Sequence, residues 1–387
     1  MLVGVHSTVL GPAMGGTRLK VYSSPTEALT DVLRLSQAMT MKQAVAGLDL
    51  GGGKAVLAVP AVPPAGSVER RELLLRYGDL VESMGGTYVT AADMNTGEAD
   101  LDIVGERTAH VLGRSVARGG SGSSAEATAF GVFHGVLAAV RHAFGDDDLA
   151  RRRVLVQGAG AVGSRLAELL HGAGAGIVVV DVDAARARRV AQRLGAETTP
   201  PLHALDAECD VFSPCATGGV LSAESIPLLR CAVVAGAANN QLATPWDADR
   251  LHARGILYAP DFVINAGGVI HLTGYERLGW SEDQMRSRLR GIGQTLTELF
   301  ERADREGIST ATAADRLALE RIEAGRSSHE GLLLPADPHA DQQAGTQGAV
   351  ERGERPERPR GSIRRKAEER VQGEQRPEGY VEDRERP

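Results

Sequence analysis

The run RRRVLVQGAGAVGSRLAELLHGAGAGIVVVDVD, which starts at Arg151, admits few folds. A short apolar strand, VLVQ, leads into Gly158, Ala159, Gly160, Ala161, Val162 and Gly163. That turn opens an amphipathic helix, SRLAELL, and a second apolar strand, IVVVD, follows. The G-x-G-x-x-G spacing alone is weak evidence. Strand, helix and a terminal acid together make the dinucleotide fingerprint. In such a unit Gly158 makes the tight turn, Gly160 lets a pyrophosphate approach, and Gly163 lets the helix pack on the sheet. The first amides of the helix then face the phosphates. Asp181, closing the second strand, is placed to accept the ribose hydroxyls of an adenosine and to repel a 2′-phosphate, which favours NAD over NADP. Arg186 and Arg188 lie close behind it, so some tolerance of NADP stays open.

Further short apolar runs follow in CDVFSP, CAVVAGA and GILYAPDFV, spaced by helical or turn segments. Such alternation implies an α/β fold with a doubly wound parallel sheet, covered by helices on both faces. A helix is expected from near Ser123 through TAFGVFHGVLAAVRHAF. Residues 1–125 mix short apolar runs with one marked helix. Ser24-Pro25-Thr26-Glu27 reads as a capping box with proline at the first helical position. Leu29, Val32, Leu33 and Ser36 then recur at helical spacing, with an end expected near Met39. The organisation expected is an N-terminal α/β substrate domain over 1–125, a Rossmann NAD-binding domain with C-terminal helices over 126–326, and a cleft between them. Residues 327–387 are rich in Arg, Glu, Pro and Gly, cannot offset their ordering entropy, and are expected to stay disordered.

The totals narrow the function. The chain has 387 residues, 42% hydrophobic and 24% charged, the proportions of a soluble globular protein. A net charge of −7 argues against a nucleic-acid binder. No apolar run approaches the ~18 residues of a membrane span, and MLVGVHST lacks the features of a signal peptide. Cys209, Cys215 and Cys231 form no C-x-x-C pair. They read as reduced thiols of a cytoplasmic protein, and no metal site is expected.

LDLGGGKAV (48–56) sets a lysine directly after three glycines. A phosphate-binding loop needs G-x-x-x-x-G-K-[ST]. Leu48 and Ala55 stand where that motif requires glycine and a hydroxyl, so a nucleotide triphosphatase is disfavoured. The remaining option is a backbone that closes on a small molecule, with an amine projecting into the gap. GPAMGGTR (11–18), MTMKQA (39–44) and AADMNT (91–96) add a second lysine and an aspartate beside glycine turns. Any one of Lys42, Lys54 and Asp93 alone would be read as a surface charge.

Taken together, these segments resemble the glutamate/leucine/phenylalanine/valine family of amino-acid dehydrogenases. The likeness continues through GGSGSSAEATAFGVFHGV, VLVQGAGAVG, DVFSPCATGGVL, VVAGAANNQL and YAPDFVINAGGVIHL. It is colinear over about residues 3 to 320 and is nearest to the NAD-dependent phenylalanine, leucine and valine enzymes, RGGSGSS being most like actinobacterial phenylalanine dehydrogenase. The lysine segment departs from a common family form at Pro60, where a polar residue often stands. The resemblance implies that Lys42 holds the substrate carboxylate beside the Gly15 and Gly16 backbone, that Lys54 is the catalytic lysine, and that Asp93 is its proton-handling partner. It places Asn265 at the substrate or nicotinamide, and Thr128, Ala216, Thr217 and Asn240 along the cofactor. The implied reaction converts an L-amino acid, NAD and water to a 2-oxo acid, NADH and ammonium. A lysine in a partly desolvated cleft beside another cation is pushed toward neutrality and can take a proton from water.

A glutamate substrate would require an additional cation for its second carboxylate, and none is evident around AADMNT or NAGGVIHL. An apolar side chain is expected. Overall likeness points to phenylalanine, whereas Ala91 and Val269, at the implied pocket positions, point to leucine or valine; a methyl group discriminates by only about 1–3 kcal/mol. His6, His134 and His271 read as structural. The resemblance begins almost at Met1, where family members usually carry some twenty to thirty further residues. A homo-oligomer with weakened subunit pairing is therefore expected. The rival reading is a truncated, non-catalytic dinucleotide-binding sensor or partner protein.

Overall fold

The computed structural model describes residues Met1–Leu333, and these form two lobes, each on its own sheet. The first lobe holds β1 (Leu2–Ser7), β2 (Ala13–Lys20), β3 (Gly51–Ala58) and β4 (Tyr88–Ala92), in spatial order β1-β3-β2-β4. β1 runs antiparallel to β3, and β2 pairs parallel with both β3 and β4.

The glycines before Lys54 are explained by this placement. A Cβ on Gly51 would fall 1.9 Å from the Ser7 carbonyl oxygen, one on Gly52 2.1 Å from the Thr40 amide nitrogen, and one on Gly53 2.6 Å from the Tyr88 ring. They let β3 press against β1, a helix and Tyr88. The expectation that they serve the approach of a substrate is corrected: the space is taken by the protein itself.

That helix is α1 (Pro25–Val45). The Ser24 hydroxyl accepts the Glu27 amide at 3.1 Å, as a cap should. The Glu27 carboxylate bonds the amide and hydroxyl of Ser23 instead of closing the capping box on Ser24. The helix passes the expected end near Met39, because no glycine or proline interrupts it before Gly47, and it therefore carries Lys42 in its last turn. Its buried face is Ala28, Val32, Leu35 and Ser36, whereas Leu29 and Leu33 are 47% and 55% exposed. Those two leucines lie on a neighbouring stripe that faces outward. α2 (Val68–Ser83) and α3 (Glu98–Val104) cover the opposite side, closing a core around Leu57, Leu74, Tyr77, Tyr88 and Leu101.

α4 (Ala125–Phe144) begins close to the expected Ser123 and leads into the second lobe. Its strands are β5 (Arg153–Gln157), β6 (Gly176–Val180), β7 (Glu197–Thr198), β8 (Val211–Pro214), β9 (Val233–Val234) and β10 (Leu257–Tyr258). They lie in the order β10-β9-β8-β5-β6-β7, all parallel. This is the doubly wound order, reversing between β5 and β8, and the crevice at that reversal is where such sheets bind ligands. α5 (Ala161–Gly172), α6 (Ala184–Leu194) and α7 (Asp247–Ala253) connect the strands. α8 (Asp261–Ile264), α9 (Gly267–Glu276), α10 (Glu282–Glu306) and α11 (Thr310–Leu333) complete the lobe, with Val136, Ile264, Ile292, Leu296 and Phe300 buried between helices and sheet. α11 runs on past residue 327, and the rest of the charged segment expected from there lies outside the described residues.

The lobes are tied together behind the cleft. Arg288 of α10 donates to the Gly47 carbonyl at 3.0 Å and to that of Ala46 at 3.5 Å, and Arg321 of α11 donates to Asp49 Oδ1 at 3.0 Å. Glu276, ending α9, accepts the amides of Gly113 and Ser121 in the segment joining the lobes. No helix among the described residues is long and apolar enough to cross a membrane.

Gly52→Ala is expected to cost about 1–3 kcal/mol through overpacking, since the atom it meets is backbone that cannot swing aside. Urea unfolding followed by circular dichroism measures it; an unchanged midpoint would contradict the packing account.

Candidate active site

A cleft of about 360 Å³ opens between the lobes, within the usual range for small-molecule sites. The first lobe contributes Gly15, Gly16 and Arg18 from β2, Lys42 from α1, Lys54 from β3, and Ala91 and Asp93 at the end of β4. The second contributes Thr128 from α4, Val162 from α5, Asn239 and Asn240 after β9, Asp261 and Asn265 around α8, and Val269 and Leu272 from α9. Lys42, Lys54, Asp93 and Asn265, some two hundred residues apart at the extremes, thus share one space.

Lys54 is 6% exposed, with Nζ 3.1 Å from Asp93 Oδ2. Burial drives its ammonium below the ordinary lysine range and the Arg18 charge adds to this, with the Asp93 carboxylate opposing. Burial by itself would raise the Asp93 carboxyl, but Lys54 and Arg18 outweigh it and hold the group below the usual carboxylate range. Gly16 permits this approach, since a Cβ there would fall 2.3 Å from the Ala92 carbonyl oxygen and 2.9 Å from Asp93 Cβ.

Lys42 spans the cleft, its Nζ donating to Asn239 Oδ1 at 3.0 Å. Its pKa is pushed down to about 8, chiefly by burial and further by the Lys54 charge, while Asp261 and Asp93 resist. Asp261 is fixed by the Gln241 amide at 3.0 Å and the Phe262 amide at 2.7 Å, and burial pushes its carboxyl up. Asn265 Nδ2 donates to Asn239 Oδ1 at 2.9 Å and to the Ala237 carbonyl at 3.1 Å. Its Oδ1 is buried without a hydrogen-bond partner among the described residues. An orphaned acceptor of this kind costs free energy unless a ligand donor meets it.

The glycine turn sits at the sheet reversal. Gly158 has φ +108°, and a Cβ there would meet Ala216 Cβ at 2.9 Å, which places Ala216 over the turn. A Cβ on Gly163 would fall 1.9 Å from the Gly158 carbonyl oxygen, whereas one on Gly160 would enter open space. Ala161 and Val162 form the first turn of α5, Thr217 follows Ala216 after β8, and Asn240 adopts φ +51° at the cleft. Asp181 Oδ2 accepts the Ala159 amide and Oδ1 the Asp183 amide, both at 2.8 Å, with Arg186 Nη1 at 3.7 Å. An open glycine at a helix N-terminus, with a carboxylate one strand away, fits a dinucleotide's pyrophosphate and ribose.

Arg18, Asn239 and Asp261 carry much of the site's electrostatics yet were not singled out from sequence. Arg18 also bears on the expected lack of a further cation: it does reach the cleft, but its guanidinium is bound at 3.0 Å to each of Asp93 and Asp31. His6, His134 and His271 lie outside the cleft lining.

The family model described as Glu/Leu/Phe/Val dehydrogenase, dimerisation domain, matches residues 2–110, and that described as Glutamate/Leucine/Phenylalanine/Valine dehydrogenase matches 119–185 and 182–329. Leucine dehydrogenase of Thermoactinomyces intermedius is 43% identical over 333 residues, 86% of this chain and 89% of that protein. Valine dehydrogenase of Streptomyces coelicolor is 43% identical over 329 residues, 84% and 89% of the respective chains. The crystal structure of L-tryptophan dehydrogenase from Nostoc punctiforme superposes with a TM-score of 0.72 at 37% identity, covering 84% of this chain and 92% of that one.

Asp261→Asn should lower the Lys42 pKa below about 8, because an attraction that keeps its proton is removed. The chain holds four lysines, Lys20, Lys42, Lys54 and Lys366, so ¹³C-lysine NMR can follow each titration. A Lys42 midpoint unmoved by the substitution would exclude the pairing.

Proposed function

The chain belongs to the glutamate/leucine/phenylalanine/valine dehydrogenase family and is an amino-acid dehydrogenase; from that premise we propose that it is NAD-dependent and acts on branched-chain aliphatic L-amino acids. The observation that carries this reading is the depressed Lys54 amine bound to Asp93 in the same cleft as Lys42. Leucine and valine are favoured because Met14, Met39, Ala91, Val269 and Leu272 line the cleft with apolar surface, and because two of the relatives described above, at 43% identity, are by name leucine and valine dehydrogenases. NAD is favoured by Asp181. Arg186 keeps its guanidinium beside that acid, where it would also meet a 2′-phosphate, so the preference over NADP is the finer point to test. The dimerisation-domain match supports a homo-oligomer.

Lys42 would bind the substrate carboxylate beside Gly15 and Gly16, exchanging its neutral partner Asn239 for a charged one. Asn265 Oδ1, already oriented by its own amide, would accept from the substrate or the carboxamide of the nicotinamide. Thr128, Val162 and Asn240 would flank the nicotinamide, and Gly158, Gly160, Ala161, Gly163, Ala216, Thr217 and Asp181 the rest of the dinucleotide. The bound nicotinamide supplies the hydride acceptor. Loss of hydride from the α-carbon leaves a substrate iminium, and water adds to it. Lys54, in the neutral form that burial and the Arg18 charge favour, takes the proton from that water. Asp93 then moves a proton to the nitrogen, which leaves as ammonia and is released as ammonium. Overall an L-amino acid, NAD and water give the 2-oxo acid, NADH, ammonium and a proton.

Absorbance of NADH or NADPH with leucine, valine, phenylalanine and glutamate tests the assignment. Turnover with leucine or valine and NAD should lead; a preference for glutamate or NADPH formation would reject it. Lys54→Ala should lower kcat by roughly 10²–10⁴-fold, the worth of a positioned base. Lys42→Ala should chiefly raise KM, since it removes an interaction formed before the transition state. In the wild type, KM for the amino acid should climb above about pH 8 as Lys42 loses its proton, a rise that a pH-independent KM would disprove.

A further inference from the structure

Behind Lys54 and Asp93 lies a second layer of charge. Arg18 Nε donates to Asp93 Oδ2 at 3.0 Å and Nη1 to Asp31 Oδ2 at 3.0 Å. The Tyr22 hydroxyl donates to the same Asp31 oxygen at 2.7 Å, and Arg34 lies 3.5 Å from the other. The side chains of Arg18 and Asp31 are only 14% and 12% exposed, so neither is free to swing. Lys54 Nζ meets Asp93 on Oδ2 as well. Both cations therefore occupy one carboxylate oxygen, while Oδ1 takes no hydrogen bond from the described residues. The Asp93 backbone is held independently, its amide donating to Thr96 Oγ1 at 2.9 Å.

We propose that Arg18 is a positioning residue for the reaction: anchored on Asp31, it turns the Asp93 carboxylate so that Oδ2 is shared with Lys54 and Oδ1 faces the substrate nitrogen. The claim rests on the dehydrogenase reading above and deepens it. Only a guanidinium meets the geometry, because it presents separate N–H groups in a fixed fork to two carboxylates at once, whereas an ammonium is a single point donor. Arg18 also sets the local charge balance. The charged groups acting on Asp93 are Lys54 from β3 and Arg18 from β2, with Lys42 from α1; behind them Asp31 of α1 acts on Arg18 and Lys54, and Asp261 of the other lobe acts on Lys42. Removing Arg18 takes away a single cation that both holds the Asp93 carboxyl down and repels a proton from Lys54. Both ionisations then move to higher pH.

The test compares Arg18→Met, Arg18→Lys and Asp31→Asn in oxidative deamination across pH, with ¹³C-lysine NMR of Lys54 alongside. Arg18→Met should lose about 10²-fold in kcat, a typical acid–base contribution, with the pH profile and the Lys54 titration both displaced upward. Arg18→Lys should return the profile and the titration toward wild type while kcat stays well below it, since charge is restored but not the fork. Asp31→Asn, which leaves Arg18 in place but loosens its anchor, should lower kcat with little change in KM. It also serves should Arg18→Met fail to fold. Loss of kcat in Arg18→Met with an unmoved profile and unmoved Lys54 titration would reduce Arg18 to a structural role and overturn the proposal, as would wild-type kcat in Asp31→Asn. An inactive wild type would instead sink the dehydrogenase reading, and the NMR titration would still report whether Arg18 acts on Lys54.

Discussion

Two ammonium groups in one cleft repel each other and lose hydration, and the remaining design of the site answers that cost. The structure supplies a separate counter-charge for each. Asp93 contacts Lys54 directly, while Asp261 offsets Lys42 from the opposite lobe without an ion-pair contact. Direct contact keeps Lys54 beside a carboxylate with which, on the proposed mechanism, it exchanges protons. The looser arrangement leaves Lys42 on a neutral amide oxygen, Asn239, that a carboxylate can displace. The two lysines thus differ in partner as well as in burial, Lys54 buried and Lys42 partly so, and the difference suits the proposed division between binding and proton transfer.

The second lobe was largely legible before the structure. Its strands are continuous apolar runs, its glycines are fixed by a turn and a close packing, and alternation of strand and helix forces a parallel order. In the first lobe the elements were less so. Helical spacing of Leu29, Val32, Leu33 and Ser36 marks α1 but not its end, which lies at Val45 and not near Met39. Nor does it mark the inner face, because leucine on two adjacent stripes gives the periodicity no clear side, and Leu29 and Leu33 face outward. At the site, Arg18, Asn239 and Asp261 escaped because each works through partners far away in the chain, which local pattern cannot show. Lysine usage carries a signal of its own. Lysine is scarce, only four among 43 basic residues, and arginine fills nearly every other basic position. A chain that relies on arginine yet keeps lysine at 42 and 54 sets both positions apart, and at 54 burial and the Arg18 charge favour loss of a proton that a guanidinium would keep.

GGGK also teaches a distinction between what a residue type permits and what uses the permission. Glycine before an active lysine invites the thought of a ligand close to bare backbone. Here the vacated volume is filled by Ser7, Thr40 and Tyr88, and of the four residues of GGGK the lysine alone lines the cleft. Packing this tight serves the chemistry indirectly: a strand locked on both faces gives Lys54 a fixed origin.

The grip of Arg288 and Arg321 on residues 46–49 holds the end of α1 against the opposite lobe. At about 1.5 Å per residue, Lys42 stands only about 8 Å from Gly47 along the helix axis, and Pro25 about 33 Å. A ten-degree swing about that end would carry Lys42 through roughly 1 Å and the far tip of α1 through roughly 6 Å. A swing of that kind would widen the mouth of the cleft while leaving Lys42, the proposed seat of the substrate's acid end, almost in place.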